Sequence, residues 1–396
     1  MKKKNIFFVV ENDYFPRDIR VYNECSTLAN TDKYRCFVFA PRNNKNKEKF
    51  FEIVDGNIRC FRYPHYEAIS SLGLFLEYLN AFFWNAILIP VIVFFLKIDV
   101  VHVANPPDFI LPSIFWLKFF NTKFVFDQHD LSLEHFKVKE RKENIVSKLI
   151  LFILFLLEKF TIKLSDLSIA TNTSIEKYEK EIDKNAVTIV IRNSNKIQYQ
   201  KIEDIPKKEN KKLHLGYFGF LGSDRAAGVE NLKNIAQFLK DRNIEFTFSI
   251  IGIGPGIDLL KKLLAEGNLE KYFIFYGWLH VNEAFDKIIN FDFGILPWIQ
   301  CERNNLHTAM KLIDYMCCGV PVCSLKLKEQ LITTNEIGIH TDSFVDMAKK
   351  IVEVYHDKNR YDKLREETLN HFNKYLCWEI QAKKLIKAYD ILLGLK

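Results

Sequence analysis

Lys311 and Asp314 stand three residues apart in HTAMKLIDYMCCGVPV, residues 307 to 322. That spacing puts an ammonium and a carboxylate on one face of the first turns of a helix. A helix N-terminus carries unpaired N–H groups, so a lysine beside it makes an anion site, with the amides of Thr308, Ala309, Met310 and Lys311 itself as further donors. The carboxylate, one turn deeper, reaches a ribose diol. An exposed salt bridge is the competing reading of the same pair. Upstream, GYFGFLGSDRAAG, residues 216 to 228, leaves a strand with Gly219 and Gly222, where a phosphate can approach the backbone, and Arg225 stands just ahead of a helix. A purely structural turn uses the same glycines. IIGIGPG at 250 to 256 spaces its glycines as GxGxG, with no acidic residue closing the next strand, which argues against NAD.

In the first half, FDQHDLSLE at 126 to 134 follows another strand. His129 can orient or deprotonate a hydroxyl there, while Asp127 and Asp130 fix its tautomer or bind hydroxyls themselves. A histidine capping a helix or satisfied in the core is the structural alternative. One His with two Asp is not a distinctive metal set, so no metal is expected. Arg17, Asp18 and Arg20, after the first strand, line an acceptor entrance or form a solvated charged turn.

These residues need strands that end where they begin. Apolar strand candidates recur at 5–10, 35–40, 99–103, 123–126, 167–170 and 187–191, and again at 213–219, 246–251, 272–276, 292–296 and 321–324. Helix-length segments separate them, the pattern of parallel sheets covered on both faces. The expected fold is α/β, with two Rossmann-like parallel-sheet domains facing across a cleft, because ligands in such sheets bind outside the strands' carboxyl ends. IQYQKIEDIPKKENKK at 197–212 is polar and lacks a sustained apolar period, so it reads as a linker. The domains are then 1–196, 213–375 and a terminal helix at 376–396. The segment 297–307 reads as a loop, and a helix follows it and stops before Gly319.

With 396 residues, 48% hydrophobic and 27% charged, the chain is too apolar for disorder and too long for one core. A net charge of +7 from 56 basic and 49 acidic residues is too small to imply nucleic-acid binding. Eight cysteines without a CxxC pair fit a reducing, cytoplasmic compartment. The N-terminus has too few apolar residues before Glu11 for a signal peptide. AFFWNAILIPVIVFFL, sixteen residues at 81–96, and LILFILFLL at 149–157 fall short of a span, which needs about 20. Buried helices and membrane-surface contact stay equally open for both. KVKERKENIVSK at 137–148 holds five basic and two acidic residues directly before the second run, which suits an anionic membrane surface.

The ordered set GYFGFLG, IIGIGPG, FYGWL, DFGILPW and DYMCCGVPV resembles the donor lobe of family 4 glycosyltransferases with the GT-B fold. FPRDIRVYNECSTL, IDVVHVANPPDF, FVFDQHDLSLE and VIRNS are similar to the acceptor lobe of bacterial members that build surface polysaccharides, and CWEIQAKKLIKAYDILL to their returning terminal helix. The likeness covers nearly the whole chain. It implies retaining transfer of a sugar from a nucleotide-diphosphate donor to a hydroxyl of a glycan acceptor, lipid-linked by analogy. The nucleotide sugar is then a co-substrate, with no resident cofactor, and the enzyme sits peripherally on the inner face of the cell membrane. The chain has no DxD motif, the usual cation ligand of the other large glycosyltransferase fold. The resemblance puts the base against FYGWL, read by backbone near Leu279, and gives Lys311 and Arg225 the diphosphate. The family's pair of glutamates separated by seven residues maps its second member onto Asp314 and its first onto Leu306, which cannot bond a sugar. Its usual Arg and Lys of the first donor loop fall near Phe220 and Ala227. A nucleotide-sugar epimerase of the same fold and a noncatalytic glycosyltransferase-like partner are the rival readings.

Overall fold

Predominantly apolar runs such as IFFVV and FTFSII become strands buried on both faces, as parallel sheets between helices require. The computed structural model describes residues 2–11, 13–43, 48–65, 71–133, 145–207 and 212–395. The chain forms two units, one of Met1–Arg192 with Ala382–Lys396 and one of Asn193–Gln381.

The first unit holds β1 (Lys4–Val9), β2 (Tyr34–Arg42), β3 (Phe51–Val54), β4 (Ile58–Pro64), β5 (Val100–Ala104), β6 (Lys123–Gln128), β7 (Leu167–Ala170) and β8 (Thr188–Val190). They make one sheet in the order β3-β4-β2-β1-β5-β6-β7-β8. Its helices are α1 (Ile19–Ala29), α2 (Ser71–Leu96), α3 (Ile110–Ser113), α4 (Ile145–Leu164) and α5 (Thr173–Ile182). All pairings are parallel except β3 with β4, a hairpin absent from the sequence reading. Asp55 and Gly56 turn it at φ 48° and 74°, a conformation that Asp-Gly supplies cheaply. The apolar run at 81–96 extends into a 26-residue helix, α2, longer than the run alone suggested.

In the second unit β9 (Leu213–Phe218), β10 (Phe246–Ile251), β11 (Phe273–Gly277), β12 (Phe293–Ile295), β13 (Val322–Leu325) and β14 (Ile339–Thr341) stack in the order β11-β10-β9-β12-β13-β14. Its helices are α6 (Val229–Asp241), α7 (Gly256–Glu266), α8 (Val281–Ile288), α9 (Glu302–Leu306), α10 (Met310–Cys317), α11 (Lys328–Thr334), α12 (Phe344–His356) and α13 (Lys358–His371). α14 (Trp378–Leu392) passes from the second unit into the first at Ala382. Residues 197–207, read from sequence as linker, pack on the second unit: Ile205 enters its core and Lys207 meets Asp292 at 2.8 Å. The segment 297–307, expected as loop, contains the short helix α9.

α10 ends as its sequence dictates. Gly319 takes φ 60°, the Gly319 amide donates to Met316 and the Val320 amide to Tyr315, closing the last turn. Tyr315 then fixes the helix to the sheet. Its ring fills the space beside Gly294, where an added Cβ would lie 2.3 Å from it, and its hydroxyl accepts from the Phe218 amide at 2.9 Å.

Candidate functional site

That anchoring sets where Lys311 goes. One turn before Tyr315, its side chain lies over the loop after β9, with Cε and Nζ 3.4 and 3.7 Å from where a Gly219 Cβ would be. Gly219 itself adopts φ 111°, a conformation disfavoured for other residues. The ammonium sits 5.0 Å from the Tyr217 ring centre and 5.5 Å from that of Trp298. Among the described residues it has no carboxylate within ion-pair distance. Burial pushes its pKa down to about 8, opposed only partly by the charge of Asp314. A half-buried cation boxed by two aromatic faces is costly in an empty site and suits an anionic ligand.

The N-terminus of α10 adds to this. Ala309 is its N-cap and has no capping side chain, so the first amides are not satisfied as a Ser or Asp cap would satisfy them. The Ala309 amide is committed to Gln330 Oε1 at 3.2 Å, which removes it from the expected donor set. Met310 and Lys311 amides are the ones left pointing out of the helix. Thr308 bonds Thr333 through its hydroxyl at 3.4 Å.

Asp314 is buried, and the Asn195 amide donates to it at 2.7 Å. Burial raises its pKa to about 6 against the pull of Asn195 and Lys311. Asn195, part of the motif VIRNSN, gave no sign of this contact in sequence.

The glycine loops explain each other. Gly219 and Leu221 amides donate to Ile251 and Ile253, while the Gly256 amide donates back to Leu221. A Cβ at Gly252, Gly254 or Gly256 would lie 2.0, 2.3 and 2.3 Å from carbonyls of Gly219, Leu221 and Gly222. IIGIGPG therefore exists to let one loop lie on the other. Alternate amides of the first loop, at Phe220 and Gly222, stay outside this pairing. Arg225 lies in a 3-10 turn and is exposed. Arg303 on α9, absent from the sequence reading, reaches Asp224 at 3.5 Å. Leu279 packs on the core between β11 and α8, beside exposed Trp278. Leu306 closes α9 as a partly buried apolar residue.

In the first unit, Asp127, next to last in β6, is fully buried and is the centre of a charged network. Arg20 Nη2 and Nε hold it at 2.6 and 3.0 Å, and Arg20 also donates to the Ile191 carbonyl at 2.8 Å. His129 Nε2 lies 2.6 Å from Asp127 Oδ2. Burial by itself would raise the Asp127 pKa, but the charges of Arg20 and His129 and bonds from His102 and His129 hold it well below the usual carboxylate range. With Nε2 committed to an ionised carboxylate, His129 presents Nδ1 as its second ring nitrogen. Asn105 fixes the loop, accepting from the His129 amide at 2.6 Å and donating to the Asp130 carbonyl at 2.8 Å.

Two expected acceptor residues do other work. Asp18 caps α1 by accepting from the Val21 amide at 3.0 Å, and Arg20 is buried in the network instead of lining an entrance. Arg17 is exposed, 3.5 Å from Asp13. Behind the network, His102 Nδ1 meets the Tyr389 hydroxyl at 2.6 Å, and burial lowers the His102 pKa, keeping it neutral. Glu24, His102 and Asp127 bring three potential ligand atoms within 4.8 Å of one another. Arg20 lies 3.1 Å from Glu24 as well, so a guanidinium already serves this acidic pair. Burial and Asp127 raise the Glu24 pKa well above its ordinary value. Glu11, after β1, is a further titratable group that sequence did not single out: burial, then Glu77, raises it to about 8.

Residues 212–357 match the family described as glycosyl transferases group 1. An uncharacterized glycosyltransferase of Methanocaldococcus jannaschii is 24% identical over 384 residues, 93% of this chain and 92% of that one. The sucrose-phosphate synthase of Thermosynechococcus elongatus superposes with a TM-score of 0.78 at 15% identity, over 99% of this chain and 100% of its own. The Anabaena protein HepE, solved in complex with UDP, superposes with a TM-score of 0.66 at 13% identity, over 98% and 100%. The second unit is thus similar to the glycosyl transferases group 1 family over residues 212–357, in a chain whose two parallel-sheet units have the GT-B fold of these structures.

Proposed function

We propose that the protein transfers a sugar, with retention of configuration, from a nucleoside-diphosphate sugar to a hydroxyl of a lipid-linked glycan in surface polysaccharide or glycoconjugate synthesis. The observation that carries this reading is the Lys311 ammonium, held over Gly219 at an uncapped helix N-terminus between two aromatic rings, with no ion pair among the described residues. In the reaction, the bond from the anomeric carbon to the diphosphate oxygen breaks. A bond to the acceptor oxygen forms on the same face, and the hydroxyl proton ends on the released diphosphate. Negative charge grows on the leaving group, so a preorganised cation and amides stabilise the transition state more than the ground state. Lys311, with the Met310 and Lys311 amides, supplies this without a bound metal, and Asp314 meets the ribose. His129, braced by Asp127, receives the acceptor hydroxyl. The nucleotide sugar is the co-substrate, and no resident cofactor takes part.

Incubation with a panel of nucleotide sugars and a short lipid-linked glycan tests this. Acceptor-dependent release of nucleoside diphosphate, with the donor's anomeric configuration kept in the product, is expected. Donor isomerisation without acceptor identifies an epimerase instead, and binding without turnover a noncatalytic partner. In the same assay Asp314→Ala should weaken nucleotide binding by about 10-fold, the worth of one lost hydrogen bond to a charged group. An unchanged dissociation constant removes the ribose from Asp314.

A further inference from the structure

α2 is apolar on every side. Between Glu77 and Lys97 it carries no charged residue, and its stretch Leu76–Leu96, 21 residues at a mean hydropathy of 2.1, is long and apolar enough to cross a membrane. Helices of that kind belong in a core or in lipid. Here Ala81, Asn85, Ile89, Pro90 and Val93 are buried, and Trp84, Leu88, Ile92 and Leu96 pack partly buried against the same core. The outer face is open: Phe82, Phe83, Ile87, Val91 and Phe94 are exposed, and Phe95 is 84% exposed. A helix that gives one face to its own sheet and leaves the other apolar suits a membrane surface more than a crossing.

The open surface continues past α2. Phe94 packs on Phe120 with ring centres 5.0 Å apart, and Phe115 on Phe160 of α4 at 6.4 Å, so the 3-10 segment Phe115–Phe120 bridges the two helices. Phe119 there is 82% exposed, and Phe152 on α4 is 57% exposed. Large apolar side chains this dense greatly exceed the scattered exposure normal for a water-facing surface. Lys97 follows α2, Lys118 lies within the 3-10 segment, Lys123 opens β6 and Lys163 stands in the last turn of α4, with Asp166 paired to Lys118 and Lys123. Lysines at the margin of an apolar face complement anionic headgroups above an acyl layer.

We propose that α2, the 3-10 segment Phe115–Phe120 and α4 form one monotopic face that inserts into the acyl boundary of an anionic bilayer. The contact is chiefly hydrophobic. It is thus distinct from the electrostatic attachment expected of residues 137–148, of which 137–144 lie outside the described residues. It also stands independently of the transfer reaction.

Flotation with vesicles of phosphatidylcholine and phosphatidylglycerol tests it. The wild-type protein should float and stay bound at high salt. The triple variant Phe95→Asp, Phe119→Asp, Phe152→Asp should partition about 10³-fold less, since each ring withdrawn from water is worth about 10-fold or more. These side chains face solvent, so the variant's unfolding temperature should match the wild type. Quenching of wild-type tryptophan fluorescence by brominated acyl chains, through Trp84 and Trp116, gives a readout that needs no variant. Release at high salt, equal flotation of the triple variant, absence of quenching, or concentration-dependent dimers that ignore vesicles would each overturn the proposal.

Discussion

Lys311→Met should lower turnover at saturating donor by about 10²- to 10³-fold while leaving the unfolding temperature unchanged or higher. The rate loss is that of removing one preorganised group aimed at developing charge, roughly 3 to 4 kcal/mol. An exposed helix salt bridge would cost about 0.5 kcal/mol or less, and in stability instead of rate. The structure already separates the two, because Lys311 faces Tyr217 and Trp298 and forms no ion pair among the described residues. Stability should not suffer, since burial lowers the lysine's pKa from 10.5 to about 8. Between these values the unfolded chain holds more protons, so the fold gains stability as pH rises, and below them the buried charge is a cost that methionine removes. The same shift gives a pH signature: affinity for nucleoside diphosphate should fall as pH rises through about 8, where the free amine loses its charge. Arg225→Ala should cost no more than about 10-fold, because an exposed guanidinium is screened by solvent and salt. Lys311→Met with near-normal turnover would place the diphosphate elsewhere.

Legibility in the sequence followed burial. β1, β5, β6, β9 and β10 are covered on both faces and read as mainly apolar runs with few polar residues, such as His102, His214 and Ser249, so their positions come through within a residue or two. β3 and β4 lie at the sheet's edge with Glu52, Arg59 and Arg62 interrupting FEIV and IRCFRYP, and they vanish into what looks like loop, although Asp55-Gly56 marks their turn. Lys311 could be placed because Gly319 fixes where α10 stops and the register counts back from there. Its aromatic surroundings could not: Tyr217 comes from β9, Trp298 from after β12, and no periodicity links them. Arg20 and Asp127 are 107 residues apart in sequence, and only the adjacency of β1, β5 and β6 joins them. A charged triplet after a strand therefore reads as an entrance when one member, Asp18, is a cap and another, Arg20, a buried counter-ion. α2 is longer than its apolar run because a helix continues through Glu77 and Asn80 without a break, and an apolar run does not mark where a helix begins.

That buried counter-ion sharpens the test of His129. His129→Ala should reduce transfer by about 10²-fold or more, the usual scale for a positioned acid or base, with donor affinity and unfolding temperature nearly unchanged. The expectation of intact stability comes from what remains: Asp127 keeps both bonds to Arg20, so no buried charge is orphaned. Asp127→Asn is the contrasting case. It removes the charge that balances Arg20 in a site with almost no solvent, a loss of about 3 to 5 kcal/mol, and it also turns the His129 ring out of its fixed tautomer. Stability and activity should fall together there, and Arg20→Lys should follow the same pattern because an ammonium cannot reproduce the paired bonds to one carboxylate. Asp127 stays ionised throughout the assay range, so the pH profile of transfer should carry no inflection from it. The two residues touch at 2.6 Å, yet only one of them can be removed without unbalancing the fold. If His129→Ala unfolds as readily as Asp127→Asn, the histidine is a strut of the network and the acceptor hydroxyl meets another group.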